Sequence, residues 1–423
     1  MRFFIQTLGC KINQYESQSI REAWAARGWS ESPTQAHAEV VLVHTCAVTA
    51  GAVADSRGAV RRAGREAPRA AVLVAGCAAQ IEPAAFRELP GVAAVIAQPD
   101  KAGLAHWPQE ASGADRPAWP DFSVARFNRA RPVLKIQDGC SHGCTYCIVP
   151  RARGGARSRP FEDIAAEALR LLEAGHREII LSGINLGQFS LPDGDFWDML
   201  ARLEDALAPE WLGQARLRLS SLDPGMLGPK ALSVLAGSRM TCPHLHLSMQ
   251  SADPGVLAAM GRAHYGPDTV LGFLDSLRTH WPVLALGADL LTGFPGESEQ
   301  AFRATLDFAS RAGLSYAHVF PFSRRPGTVA AKAAGQLPKD VKKERAAALR
   351  AAVNALESAF LHRLAAMDRL VVAVEQGDPG AGASEYYVEC RLTRPSPVAP
   401  GGLLPVRPVG AQDGALLAAP LES

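Results

Sequence analysis

Short apolar runs alternate with amphipathic stretches from the first residues onward. Phe3 to Cys10, Val40 to Cys46 and Ala71 to Cys77 read as buried strands, and helical patterns follow them near Gln14 to Arg27, Ala52 to Glu66 and Pro83 to Leu89. Repeated strand-helix order builds a parallel sheet whose strands end along one edge, where ligands bind. Six further runs recur at Val133 to Cys140, Glu178 to Leu186, Arg216 to Leu222, His244 to Gln250, Leu284 to Thr292 and Ser315 to Phe322. Between them lie helical patterns near Glu162 to Ala174, Phe196 to Ala206, Pro229 to Ala236, Thr269 to Thr279 and Glu297 to Ala312. This second series predicts a partial β/α barrel, with a lateral opening large enough for a macromolecule.

Between the two series, the stretch from about Gln98 to Pro120 is rich in Pro, Gly, Ala and Asp and reads as a linker. A long helical pattern covers about Lys339 to Met367. Beyond Arg369, the runs Leu370 to Val374, Tyr386 to Cys390 and Leu404 to Arg407 alternate in β fashion with Gly and Pro between them. They predict a small β-barrel of about fifty residues, a size that packs on a larger neighbour rather than standing alone. The expected fold is therefore α/β throughout its main body: an N-terminal parallel α/β domain over 1–120, a partial (β/α)6 barrel over 121–368, and a C-terminal β-barrel over 369–423.

Composition narrows the class. At 423 residues the chain exceeds one ordinary core, and 48% hydrophobic with 20% charged residues is globular. The amino terminus lacks a long apolar stretch with a small-residue cleavage site, and no run approaches a membrane span. A reducing cytoplasm is the expected compartment, where clustered cysteines bind metal or catalyse more often than they form disulfides.

Three of the eight cysteines, Cys140, Cys144 and Cys147, stand as C-x3-C-x2-C in the run from Asp138 to Pro150. Such a triplet can hold a four-iron cluster and leave one iron open to a small molecule. A zinc site completed by His142, or simple packing, is the competing reading. Cys10, Cys46 and Cys77 each close an apolar run, so a parallel sheet would bring three distant thiols together; small buried hydrophobes are the alternative. Cys242 and Cys390 have no partner pattern and read as structural thiols.

The net charge of +2 excludes a uniformly basic nucleic-acid binder. Locally the balance differs: Arg126, Arg129, Arg131, Lys135, Arg151, Arg153, Arg157 and Arg159 bracket the triplet, against the single acid Asp138. Such a concentration would draw a polyanion to the site, whereas a solvated linker is the plain alternative.

The run from Asp138 to Gly154 resembles the cluster loop of radical S-adenosylmethionine enzymes. Together with Thr7-Leu-Gly-Cys-Lys-Ile-Asn-Gln-Tyr-Glu16, His44-Thr-Cys46, Ala75-Gly-Cys-Ala-Ala-Gln80, Gly293-Phe-Pro-Gly-Glu297 and the run His318 to Thr328, it is similar to the methylthiotransferases over nearly the whole chain. Lys11 to Glu16 and His318 to Ser323 most resemble the tRNA branch acting on N6-threonylcarbamoyladenosine.

That resemblance implies two [4Fe-4S] clusters, one on each cysteine trio, and S-adenosylmethionine bound at the open iron of the Cys140, Cys144 and Cys147 cluster. It also implies a 5′-deoxyadenosyl radical, because an aromatic C–H carbon offers acid-base catalysis no acidic proton and no leaving group. The cluster at Cys10, Cys46 and Cys77 would hold the sulfur for product, and a second S-adenosylmethionine would give the methyl group. The product would be the 2-methylthio derivative of the base next to the anticodon. The implied partners are tRNA, a cellular electron donor and a sulfur source, with no membrane and no stable protein partner. Expected cofactor contacts are Tyr146, Ser182, Gly183, Gln250, Ser251 and Gly293. At Gln250-Ser-Ala-Asp253, Ala252 departs from the family's common Gln-Ser-Gly. Arg151, Arg153, Arg157, Arg324 and Arg325 are expected substrate contacts. Each has a plain alternative: an aromatic packed under the loop, a tight turn, or an ordinary surface arginine. Competing functions are a methylthiotransferase for isopentenyl-adenosine tRNA or a ribosomal protein, and an iron-sulfur relay protein without catalysis.

Overall fold

The computed structural model describes residues 1–108 and 122–421. Part of the expected linker, and the expected boundary at 120/121, lie outside the described residues. Its described part is not extended: Gln98–His106 forms a 3-10 helix. Two compact units emerge, and they cut the chain out of sequence order. One comprises Met1–Ala125, Lys135–Arg159 and Ser323–Ala331; the other comprises Arg126–Leu134, Pro160–Phe322 and Lys332–Ser423.

In the first unit a parallel sheet runs in the order Ser30–Glu31, Arg2–Thr7, Val40–Thr45, Ala71–Gly76 and Val92–Val95. All six residues of Val40–Thr45 are buried, as befits a central parallel strand covered on both faces. Val41, Val43, Val72 and Val74 pack with Val53, Val60 and Phe86 in one apolar core. Thr49 starts the helix Ala50–Glu66 by accepting a hydrogen bond from the Ala52 amide, which satisfies one of the donors a helix start leaves open. Helix Lys11–Ala26 begins directly after Cys10, and helix Cys77–Ile81 begins at Cys77 itself. The three expected strand-terminal cysteines therefore sit at one edge of the sheet.

The second unit holds two parallel sheets that continue one another. Val133–Lys135, Glu178–Ser182 and Arg216–Leu219 form the first; Ser221–Leu222, His244–Gln250, Ala285–Thr292 and Tyr316–Pro321 form the second. Hydrogen bonds from Leu217 N to Met240 O and from Cys242 N to Leu217 O carry the order across. The strands thus follow chain order around an open barrel.

Five strands, Leu370–Val374, Ala381–Ser384, Glu389–Leu392, Ala415–Pro420 and Leu403–Gln412, close the small C-terminal barrel. Two of them were not expected. Ala-Gly-Ala-Ser has no β-branched residue, and Ala-Leu-Leu-Ala-Ala-Pro shows no clear alternation, so neither carries a strand signal. The expected strand from Tyr386 to Cys390 is also corrected. Tyr386 and Tyr387 belong to the turn before Glu389–Leu392, with Tyr387 at φ +63°.

A buried carboxylate fastens this small barrel to the larger one. Arg216 Nε donates to Glu178 Oε2 at 2.7 Å and Arg218 Nε to Glu178 Oε1 at 2.6 Å. The same guanidiniums donate outward to the carbonyls of Val371, Ala383, Ser384 and Glu385. Burial alone would raise the Glu178 carboxyl, but Arg218 and Arg216 outweigh it and hold the group down at about 2. A carboxylate held below its unfolded value near 4 stabilises the fold above that value and loses its contribution as pH falls towards 2, about 3 kcal/mol in all. Glu178→Gln is expected to cost about 3–5 kcal/mol at neutral pH by leaving two guanidiniums unmatched. Urea unfolding of both proteins across pH should show that difference shrinking between about pH 4 and pH 2.

Candidate metal centre

Both cysteine trios belong to the first unit. Cys10 is exposed while Cys46 and Cys77 are buried, and the three thiols lie near enough for their charges to act on one another. Close approach is achieved with glycine. Gly9 has φ +92°, and a Cβ there would sit 2.7 Å from Cys46 Sγ. Burial pushes the Cys46 and Cys77 thiols up, so without a bound cation they favour the protonated form.

The second trio occupies a tight loop. Cys147 N donates to Cys144 O at 3.0 Å, and Cys140 N donates to Gly154 O at 3.0 Å, closing the loop at its base. His142 N and Val149 N point at Cys140 Sγ and Cys147 Sγ, each at 3.4 Å. After Cys147, Ile148 and Ala152 pack in the same apolar core as Cys77, Ala78 and Ala79. The loop of one trio thereby rests on the helix that carries a member of the other.

Beneath them lies a charge network that the sequence reading did not anticipate. Glu16 is fully buried and receives Lys101 Nζ at 2.5 Å, Lys135 Nζ at 2.7 Å and Arg153 Nη1 at 3.1 Å. Asp138 receives Lys135 Nζ at 2.7 Å and Arg153 Nη1 at 2.9 Å. Arg153 Nη2 also donates to Asn13 Oδ1 at 2.7 Å, and Asn13 Nδ2 donates to the carbonyls of Leu8 and Thr45. His44 lies beside Lys101 at 3.3 Å and shares a hydrogen bond with Ser17 Oγ. Burial, reinforced by Lys101, pushes the His44 imidazole well below its ordinary value and keeps it neutral. Burial would raise Glu16, yet Arg153, Lys101 and Lys135 together hold it well below the carboxylate range. Three buried cations thus face two carboxylates. Arg153 lies close enough to Cys77 and Cys10 for their charges to act on it. A thiolate-bound metal centre carrying negative charge fits such a surrounding.

This network corrects several expectations. Lys135, Arg153 and Arg159 are buried, with Arg159 donating to Tyr15 OH and Lys135 O, so they offer nothing to a polyanion. Arg153 is an internal anchor instead of a substrate contact. Arg325 is also buried, its charge facing Glu82 and Cys46, and is no surface phosphate contact. Arg324 is exposed but turns its guanidinium onto Ala331 O. Arg151 is exposed, and Arg157 is partly exposed, 3.9 Å from Asp138. Tyr146 lies half-buried in the loop.

In the second unit, Ser182 ends the strand Glu178–Ser182 and Gly183 follows it. Gln250 ends its strand at φ +63°, an unusual backbone for a residue with a Cβ. Ser251 is buried; its hydroxyl faces Thr305 Oγ1 at 3.4 Å and accepts from Asp253 N. Ala252 fits without strain, its amide donating to Thr305 Oγ1. Gly293 N donates to Glu297 Oε2, and its φ of +71° turns the chain after Ala285–Thr292.

An open parallel barrel and a C-x3-C-x2-C loop define a radical S-adenosylmethionine type of protein. Sequence models agree: residues 2–97 match an uncharacterized protein family, UPF0004, and residues 134–309 match the radical SAM superfamily. The threonylcarbamoyladenosine tRNA methylthiotransferase MtaB of Bacillus subtilis is 34% identical over 353 residues, covering 80% of this chain and 77% of its own length. MtaB of Chlamydia pneumoniae is 31% identical over 96% of this chain and 94% of its own. The tRNA-2-methylthio-N(6)-dimethylallyladenosine synthase of Sphingopyxis alaskensis is 32% identical, covering 99% and 97%. Among solved structures, the radical S-adenosylmethionine methyltransferase TsrM of Kitasatospora setae shares the fold at 16% identity, with TM-score 0.60 over 78% of this chain and 77% of that one. The chain belongs to the radical S-adenosylmethionine methylthiotransferase family.

Glu16→Gln removes the charge that three cations share. It is expected to destabilise the protein by about 3–5 kcal/mol, read by urea unfolding at neutral pH, because the cations remain buried. Chelatable iron after anaerobic reconstitution should fall in the same variant, since the anchor under both trios loosens.

Proposed function

We propose that this protein methylthiolates tRNA, converting N6-threonylcarbamoyladenosine next to the anticodon to its 2-methylthio derivative. The observation that carries this reading is the meeting of two incomplete cysteine trios in one unit, in a chain of this family whose relatives named above act on tRNA. Each trio supplies three thiolates, and the positive surroundings of Cys10 and Cys77 suit an anionic iron-sulfur centre there.

Cys140, Cys144 and Cys147 would hold one [4Fe-4S] cluster and Cys10, Cys46 and Cys77 the other. When bound, the clusters and S-adenosylmethionine supply the one-electron chemistry that breaks an unactivated C–H bond and delivers sulfur. The protein's own part is to hold the two thiol sets at a fixed spacing and to keep the loop ligands in register through Arg153, Asp138 and Glu16. Arg151, Arg157 and Arg324 would meet tRNA phosphate, and Tyr146, Ser182, Gly183, Gln250 and Gly293 would line the cofactor. A cellular reductant and a sulfur source act from outside the chain. Among the described residues no helix is long and apolar enough to cross a membrane, and the reaction suits the reducing cytoplasm. A second reading, dimethylallyladenosine tRNA as substrate, is favoured only by the 32% identity to the synthase named above.

The test is anaerobic incubation of reconstituted enzyme with S-adenosylmethionine, reductant, sulfide and tRNA, followed by mass spectrometry of nucleosides. Methylthio-threonylcarbamoyladenosine is expected. Its absence, with methylthio-dimethylallyladenosine formed instead, would transfer the assignment to the second reading. Replacing Cys10, Cys46 and Cys77 together by Ala should remove about half the iron, retain 5′-deoxyadenosine release and abolish methylthiolation. Cys140→Ala should abolish both products. A triple variant with unchanged iron would overturn the second centre.

A further inference from the structure

The strands His244–Gln250, Ala285–Thr292 and Tyr316–Pro321 carry a polar cluster on one face that the cysteine chemistry does not use. Their register sets His246, Gly287 and Tyr316 side by side, and Asp289 beside His318 two residues further along. Gly287 makes the arrangement possible, because a Cβ there would lie 2.1 Å from Tyr316 Cζ. Tyr316 OH stands 2.8 Å from both His244 Nε2 and His246 Nδ1. His246 Nε2 and His318 Nδ1 each lie 3.1 Å from Asp289 Oδ1. Burial would raise the Asp289 carboxyl, but the hydrogen bonds from His246 and His318 hold it well below the carboxylate range.

The outer end of this chain is open. The His318 side chain is 57% exposed, and its Nε2 has no hydrogen-bond partner among the described residues. Asp289 is therefore a fixed brace that orients the ring and leaves one nitrogen facing outward. Two residues on, Phe320 is also exposed, its ring centroid 6.3 Å from that of His318 and edge-on to it. An exposed aromatic beside a braced imidazole suits a flat ring bearing an anionic substituent.

We propose that His318 is a specificity-determining contact for the carboxylate of the N6-threonylcarbamoyl group, with Phe320 offering apolar surface to the base. The inference rests on the tRNA reading above. The two candidate substrates differ chemically at this point: a threonyl substituent ends in a carboxylate, whereas a dimethylallyl substituent is hydrocarbon. In this arrangement Nδ1 stays on Asp289 and Nε2 is the atom that meets the substrate carboxylate. The hydrocarbon substituent leaves that donor without an acceptor.

The test uses reconstituted enzyme without reductant and three anticodon stem-loops: one with N6-threonylcarbamoyladenosine, one with its carboxylate blocked as the methyl ester, and one with plain adenosine. Wild type should bind the free carboxylate about 10–100-fold more tightly than the ester, the span of one charge-assisted hydrogen bond. His318→Gln should reduce that preference to about twofold or less, and His318→Arg should keep it. With reductant present, the Gln variant should raise KM for the threonylcarbamoyl substrate while kcat changes far less. Iron content and melting temperature matching wild type establish that the variants are folded. A Gln variant that keeps the full preference, in an enzyme that does methylthiolate the threonylcarbamoyl substrate, would overturn this inference alone. Wild-type enzyme that modifies no threonylcarbamoyl tRNA would overturn the reading beneath it.

Discussion

The first unit depends on one buried carboxylate. Glu16 binds cations from three other segments, the 3-10 helix Gln98–His106 through Lys101, the strand Val133–Lys135 through Lys135 and the helix Val149–Arg153 through Arg153. Burying such groups costs several kcal/mol each, and only their mutual attraction offsets that cost. The arrangement is consequently nearly all-or-none: removing one member leaves the others desolvated and unmatched. Apolar packing tolerates sliding by a fraction of a residue, whereas this network has one geometry in which every donor finds its acceptor. That is the property needed to hold two thiol sets in register.

Much of this architecture is legible in the sequence, and what is not has physical causes. Val40 to Cys46 and Ala71 to Cys77 announce themselves because strands covered on both faces are continuously apolar. The meeting of Cys10, Cys46 and Cys77 follows from the shared strand edge alone. Buried charge is different, since Lys135 and Arg153 look in sequence like any solvated base, and only the fold reveals that Glu16 and Asp138 face them. Asn13, Tyr15 and Glu16 share one turn of a helix of low apolar content, and the fold buries all three. The missed strands Ala381–Ser384 and Ala415–Pro420 fail for a simpler reason. Closing the small barrel imposes pairing on residues whose own preference for strand is weak.

The second unit uses the same device with a different result. Along Arg216–Leu219 and His244–Gln250, charged or polar residues alternate with leucines: Arg216 and Arg218 with Leu217 and Leu219, His244 and His246 with Leu245 and Leu247. Barrels of this kind usually fill their interior with branched aliphatic layers. Here Glu178, the two arginines, Tyr316 and Tyr387 occupy that place, with Arg218 over the Tyr387 ring at 5.3 Å and His244 4.8 Å from it. Tyr387, in a left-handed turn at φ +63°, joins the cluster from the small barrel.

A polar interior of this sort has a direct bearing on selectivity. A hydrophobic pocket distinguishes substrates weakly, since a missing methylene is worth only about 1–3 kcal/mol, and it rejects an added polar group poorly. A site built around a braced donor works by penalty, because a substrate without the matching acceptor leaves a desolvated donor unpaired. At His318 the proposed brace is Asp289, whose Oδ1 lies 3.1 Å from the ring's Nδ1. Relatives in one family that accept a carboxylate-bearing or a hydrocarbon-bearing adenosine need not differ in their cysteine chemistry. The difference can reside in whether one strand presents an anchored imidazole, and Gly287, by admitting the Tyr316 ring, keeps the whole chain of hydrogen bonds behind that imidazole in line.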